Sequence, residues 1–266
     1  GERANVFSLY EDHPNNWDAW DIDHDYDEGL LETATCVSAG AVISGNARSS
    51  VRFSFTVSAS TIEQTVSLDR DSKRLTFATT VHWDEAHRML RVAFPVDVRS
   101  DEAAFDIQYG FVKRPTHTNT SLDYAKFEVV GHRYADLSDN DYGAALLNDC
   151  KYGYKVRGNI IDLNLLRSPR DPDPDADIGM HTFTYALFPH RGTLTESNVM
   201  AEAEQLNIAP LMLQGTMKAS VPISVSGNGI SMAALKKAEK EECIIIRLVE
   251  TRGRNSSGTI RMKGSI

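Results

Sequence analysis

Apolar and polar residues alternate along much of this chain. Val51, Phe53, Phe55, Val57 and Ala59 are interleaved with Arg52, Ser54, Thr56 and Ser58. A period of two places one face of a strand in a core and the other in water. The rows Leu75–Phe77–Thr79–Val81–Trp83, Leu90–Val92–Phe94–Val96–Val98 and Phe105–Ile107–Tyr109–Phe111 repeat the pattern, as do Ile161–Leu163–Leu165, Phe183–Tyr185–Leu187 and Ile244–Ile246–Leu248. Ala144 to Leu147 adds a short apolar strand. Turn residues stand between the rows, as in Asp69-Arg70-Asp71-Ser72 and Arg157-Gly158-Asn159. Many strands at roughly even spacing predict an all-β fold, a large antiparallel β-sandwich with little helix.

Two stretches carry helical signals. Val199, Met200, Ala203 and Leu206 recur at helix spacing after Ser197, a fitting cap. Ser231 to Glu242 has helix-forming composition. Residues 168–179 (SPRDPDPDADIG) are acidic and proline-rich, and proline blocks both helix and ladder, so an exposed stiff loop is expected.

Bulk numbers narrow the classes. The 266 residues suffice for one large domain or two modest ones. The net charge of −9 argues against nucleic acid and anionic membrane as partners. No apolar run approaches the ~20 residues that span a bilayer, and no signal peptide opens the chain. Three cysteines without CxxC spacing predict no disulfide framework and a reducing, cytoplasmic location. The sequons at Asn119 and Asn255 matter only in a secreted protein, and chance is the simpler account. Gly1 is not an initiator Met, so both ends are expected to be edges of a longer chain.

Candidate chemistry is sparse. Asp21, Asp23, Asp25 and Glu32 match an EF-hand's positions 1, 3, 5 and 12, but Tyr26 stands where the sharp turn needs Gly. Asp171, Asp173, Asp175 and Asp177 alternate, again without that Gly. Eight histidines are scattered with no zinc spacing. No metal site is therefore expected. No GxSxG, P-loop or GxGxxG occurs. Pro14 to Asp23 (PNNWDAWDID) is unusual. Indole faces stack on sugar rings and carboxylates bind hydroxyls. The blander reading, an anchor pinning this segment to neighbouring protein, is preferred for Trp17, Asp18, Trp20 and Asp21. Arg133 to Tyr154 (RYADLSDNDYGAALLNDCKYGY) joins a strand to the polar tip Asn148 to Gly153, and such tips commonly carry function.

Four blocks bear a resemblance: Asp12 to Asp23, Gln108 to Ser121 (QYGFVKRPTHTNTS), Arg133 to Tyr154, and His181 to His190 (HTFTYALFPH). In that order they resemble the C-terminal β-rich region of glycoside hydrolase family 38, the retaining α-mannosidases, of the bacterial or cytosolic type. Leu122 departs from the family pattern, which has Trp there. The resemblance implies a galactose-mutarotase-like supersandwich: a neck over residues 1–24, the sandwich over 25–215, and closing strands with the start of a small β element over 216–266. It implies a strand for the first half of 231–242. It also implies that the zinc, nucleophile and acid belong to an N-terminal barrel without counterpart here. No catalytic residue and no cofactor is therefore expected in this chain.

The implied role is a non-catalytic domain that buttresses the barrel of the same polypeptide and lines the cleft for a mannose-containing glycan. A self-standing carbohydrate-binding sandwich and a structural or oligomerising domain are the alternatives; a homo-oligomer is left open. Arg114, His117, Asn119, Asn148, Asp149 and Tyr152 are the cleft-edge candidates, because they place planar polar groups and an aromatic face on short loops. The competing reading has these tips capping neighbouring strands, with Tyr152 in the core.

Overall fold

The computed structural model describes residues 2–216 and 223–263. The chain forms β1 (Val6–Glu11), β2 (Leu30–Thr33), β3 (Thr35–Ala39), β4 (Ile43–Ser44), β5 (Arg48–Val57), β6 (Ser60–Asp69), β7 (Leu75–Trp83) and β8 (Arg88–Pro95). There follow β9 (Glu102–Ile107), β10 (Gly110–Pro115), α1 (Ser121–Tyr124), β11 (Val129–Val130), β12 (Tyr134–Ser138), β13 (Tyr142–Asn148) and β14 (Gly153–Arg157). Then come β15 (Ile160–Arg167), β16 (Gly179–Arg191), α2 (Val199–Asn207), β17 (Ile223–Ser226), β18 (Ile230–Lys237), β19 (Ile244–Glu250) and β20 (Thr259–Met262). Two compact units result: residues 1–106 with 113–208, and residues 107–112 with 209–266.

The first unit is the expected sandwich. One sheet has the order β11-β14-β15-β8-β1-β2. The other runs β10-β9-β12-β13-β16-β7-β6-β5-β3, with β4 on β5. Their inner faces meet through aromatic rings. Phe94 of β8 lies 5.4 Å from Phe77 of β7 and 6.0 Å from Tyr185 of β16. Phe7 meets Phe55 at 5.3 Å, and Phe105 meets Tyr154 at 6.1 Å. Offset and edge-on pairs of this kind add to the area they bury. One polar ring interrupts the apolar core. Gln64 donates to Tyr185 Oη (2.8 Å) and Thr79 Oγ1 (2.9 Å), Tyr185 donates to Asn5 Oδ1 (2.7 Å), and Asn5 donates back to Gln64 Oε1 (2.7 Å). Every member is paired, which is the condition for a buried polar group to be tolerated.

The second unit contains two antiparallel strand pairs, the hairpin β18–β19 and the non-sequential pair β17–β20. The helix-forming composition of 231–242 yields to a strand over its first half, since β18 pairs with the Ile-rich β19; pairing overrides a weak local preference. Residues 217–222 and 264–266 of the expected closing region lie outside the described residues.

Three expectations change. The segment 1–24 is not a separate neck, because β1 is an internal strand between β8 and β2. The single row Phe105 to Phe111 is two strands, turned at Gln108-Tyr109 with Tyr109 at φ 60°. The expected cap Ser197 sits one residue early: Asn198 occupies the cap position, and Ser197 Oγ accepts from Val199 N at 3.2 Å.

The outer face of the six-stranded sheet hides a charged cluster. Arg91 has the opposite parity to Phe94, so it points away from the core, yet it is only 1% exposed. Its Nε donates to Asp162 Oδ1 at 2.6 Å, and its Nη2 forms an ion pair with Glu128 Oε2 at 3.0 Å. The Tyr26 ring covers the guanidinium, 5.1 Å from its centroid. One cation thus faces two carboxylates. Burial pushes the Glu128 pKa up, with Arg91 opposing. An acid whose folded pKa is raised contributes its stability below the ordinary value of 4.5 and loses it as pH rises through the raised value. Asp162→Asn is expected to lower stability near neutral pH by about 3 kcal/mol, since it removes the charge of the guanidinium's hydrogen-bonded partner. Glu128→Gln is expected to change it by less than about 1 kcal/mol, or to raise it, and to flatten the pH dependence above 4.5. Urea unfolding of both variants between pH 4 and pH 8 measures this.

Candidate functional site

The segment Asp12 to Asp23 is fastened to the sandwich by one arginine. Arg167, at the end of β15, grips the buried Asp12 with both arms of its fork (2.6 and 2.9 Å). Its Nη2 also donates to the carbonyls of Asp21 (2.7 Å) and Asp18 (3.2 Å). A planar guanidinium with five donors suits this role where an ammonium would not. The Asp18 carboxylate accepts the backbone N–H groups of Arg170 (2.6 Å) and Asp171 (3.0 Å) and lies 3.5 Å from His87 Nδ1. Desolvation raises its pKa, but these donors and the nearby Arg167 outweigh it and hold the carboxyl below the usual range. The Trp17 carbonyl accepts both Trp20 N and Asp21 N, and Trp17 has φ 59°. The result is a firmly braced turn that leaves Trp17 72% and Trp20 71% exposed.

The tip after β13 behaves differently from the expectation. Asn148 is fully buried. Its Nδ2 donates to the His132 carbonyl (2.7 Å) and Tyr154 Oη (2.5 Å), and its Oδ1 accepts from Lys151 N (2.6 Å). Its own carbonyl accepts from Asn207 of α2 at 2.9 Å. Asn148 is therefore a turn staple and not a ligand contact. Asp149 accepts from Thr184 N (2.9 Å), while its buried Oδ1 makes no hydrogen bond within distance and angle limits. Desolvation of the thiol, although the residue as a whole is exposed, and then Asp149 push the Cys150 thiol up to about 11. Tyr152 is not in the core: it is 52% exposed, with its ring edge-on to His132 at 5.4 Å.

The other candidates divide. Arg114 donates to the Val130 carbonyl (2.9 Å) and stacks on Phe105 at 4.8 Å, so its guanidinium clamps β11. Gly131 N donates to the Tyr152 carbonyl (3.0 Å), which links Arg114 to the 148–153 tip through two residues. His117 and Asn119 turn elsewhere. His117 Nδ1 accepts weakly from Asn119 N at 3.4 Å and lies 3.6 Å from Asp123, which closes a capping box with Thr120. Leu122, on that helix, is 74% exposed.

Three of the segments singled out in sequence converge on one depression of about 320 Å³. Ala19 of the indole turn, Lys151 and Gly153 of the tip, and Asp177 and His181 at the end of the proline-rich loop line it, with Asn164 and Arg167 of β15. Lys151 Nζ rests over the Phe183 ring at 4.7 Å. Burial lowers its pKa, and no ion pair joins it to a carboxylate among the described residues. His181 Nε2 donates to the Asp177 carbonyl at 2.7 Å. A larger depression of about 530 Å³ crosses the solvent face of β6, β7 and β16 over Thr65, Ala78, Thr80 and Thr182. Both carry ionisable and amide groups, with Arg52, Glu63, Gln64 and Asp149 lining the larger, but of the two only the smaller brings together the indole turn, the tip and the proline-rich loop, so the smaller is the better candidate. Lys151, Asn164, Asp177 and His181 were not among the sequence candidates. Only the unusual segments flanking them carried a signal. Among the described residues no group of three His, Cys, Asp or Glu side chains could hold a metal ion.

Comparison with known proteins agrees with this architecture. Residues 1–175 match the model described as Glycosyl hydrolases family 38 C-terminal domain. The chain is 42% identical over 265 residues to alpha-mannosidase 2C1 of Mus musculus, covering 95% of this chain and 25% of that protein. It is 34% identical to alpha-mannosidase of Saccharomyces cerevisiae, covering 97% and 26%. The chain thus spans about a quarter of the length of these relatives. A solved family 38 protein from Enterococcus faecalis superposes with a TM-score of 0.80 at 17% identity, over 97% of this chain and 36% of that one.

The geometry predicts that Asn148→Ala is a stability variant. It leaves the Lys151 N–H and the Tyr154 hydroxyl short of partners, at a cost of about 3 kcal/mol. Thermal unfolding should show a drop of several degrees, and an unchanged melting temperature would count against the staple.

Proposed function

This chain belongs to the glycosyl hydrolases family 38 C-terminal domain family, and from that membership we propose that it is the non-catalytic C-terminal domain of a retaining α-mannosidase, an enzyme that removes terminal α-linked mannose. The observation that carries the reading is the match at 42% identity over 95% of this chain to a quarter of an α-mannosidase. Retaining hydrolysis needs two carboxyls about 5 Å apart on opposite sides of the scissile bond. In this reading a barrel elsewhere in the same polypeptide supplies them, together with zinc.

The indole turn supports an interdomain role. Arg167, Asp12 and Asp18 hold the turn firmly, yet its two largest apolar groups face outward. Exposed apolar surface on a rigid element marks a contact with protein or ligand. We assign Trp17 and Trp20 to the contact with the barrel, and the adjacent depression to the rim of the substrate cleft. Cytosolic residence belongs to the same proposal, supported by three exposed free thiols.

Two measurements test the reading. The chain alone, with zinc added, is expected not to hydrolyse an aryl α-mannoside, whereas the longer natural polypeptide containing it does. Zinc-dependent turnover by the chain alone would sink the non-catalytic assignment. Iodide quenching addresses the indole contact, because Trp83 is 1% exposed and the accessible emission comes from Trp17 and Trp20. That emission is expected to be quenched in the chain alone and shielded in the longer polypeptide. Equal quenching in both would remove the contact.

A further inference from the structure

We propose that the depression between the indole turn, the β13–β14 tip and the proline-rich loop binds a neutral polyhydroxy ligand. Specifically, it would hold a sugar unit of the glycan beyond the bond that is cut. Lys151 is its central donor, Asp177 and Asn164 its further polar contacts. The inference rests on the α-mannosidase reading above only for the identity of the sugar.

The argument starts from Lys151. A half-buried ammonium normally takes a carboxylate partner, because desolvating an unpaired charge is unfavourable. Lys151 has the Phe183 face beneath it at 4.7 Å, and Asp177 and Asp149 act on it from a distance without forming an ion pair. The face of a ring stabilises a cation but leaves its N–H groups unspent. Those donors line a depression of about 320 Å³, near the lower end of the range typical of small-molecule sites. The Asn164 amide makes no hydrogen bond among the described residues and lines the same space. His181 spends Nε2 on the Asp177 carbonyl, so a neutral ring keeps Nδ1 as an acceptor.

Charge decides the ligand class. An anion would meet Asp177 and the acidic run Asp171, Asp173 and Asp175 next to it. A cation would meet Lys151. A neutral ligand rich in hydroxyls can accept from the ammonium, donate to the carboxylate and do both with the amide. The frame is fixed on two sides. Asn148 Oδ1 holds Lys151 N at 2.6 Å, and Arg167 pins the wall that includes Ala19. Fixed donors limit the ordering entropy that binding must overcome.

The test uses the longer natural polypeptide and a sulfur-linked α-mannotriose, whose thioglycosidic bonds resist hydrolysis. Lys151→Met keeps the aliphatic stem over Phe183 and removes the donors. Asp177→Asn is the second variant, on an exposed loop at φ 60°, a conformation that Asn tolerates. Each is expected to weaken mannotriose binding in calorimetry about tenfold, the scale of one hydrogen bond to a charged group. Both should leave kcat/KM for a small aryl α-mannoside and the melting temperature unchanged. Unaltered mannotriose affinity in both variants overturns the proposal. Equal losses on both sugars also overturn it, because they assign Lys151 to the framework of the catalytic part. A wild-type protein that binds mannotriose through Lys151 but hydrolyses no mannoside would leave this site standing and remove the enzymatic reading instead.

Discussion

The guanidinium of Arg167 is the constraint on which the candidate site depends. It joins residues 155 positions apart, takes the buried Asp12 in a two-pronged grip, and satisfies two carbonyls of a turn that has no sheet to satisfy them. Without it the segment after β1 would carry a buried carboxylate with no counter-charge, and the two indoles would have no fixed direction. Asp18 extends the brace to the proline-rich loop by capping Arg170 and Asp171. One arginine and two aspartates therefore turn two irregular segments into walls of a single cleft. Their geometry is as firm as that of the strand from which Arg167 projects.

Arg91 performs the complementary task on the outer face of the six-stranded sheet. Asp162 comes from the neighbouring strand, Glu128 from the approach to β11, and Tyr26 from the short helical turn before β2. Loops that would otherwise lie loosely on a polar sheet face are drawn onto one charge. The two arginines point to a common solution. The sandwich core is built from apolar alternation, and the covering loops are held by arginines, one buried and one half-buried, whose partners come from far along the chain.

This division explains what was legible in the sequence. The rows from Val51, Leu75, Leu90, Ile161 and Phe183 became β5, β7, β8, β15 and β16 because period-two alternation reports a half-buried strand directly. β6 was missed, since the buried Gln64 falls where an apolar residue would have marked the inner face. β9 and β10 were merged because the left-handed position falls on Tyr109, while the neighbouring Gly110 opens β10 and leaves the apolar alternation unbroken. The Trp-rich segment was legible as unusual, but nothing local marks Arg167 as its holder. Asn148 was read as an exposed polar tip. Its burial depends on Tyr154, His132 and Asn207 closing around it, and only tertiary structure reveals that.

The internal position of β1 has a consequence for how the molecule is made. Val6 pairs with Ala93 and Glu11 with Arg88, so β1, whose other edge β2 can pair soon after it is made, waits for this second partner over some eighty residues of chain. Asn5 waits longer still, for Tyr185. Loop closure over such separations makes non-local sheets slow to form. During that interval Phe7 and Leu9, both buried in the finished fold, stay uncovered beside unpaired ladder groups. One edge of β1 thus stays open until β8 is made, and association through that edge is most favoured in this interval.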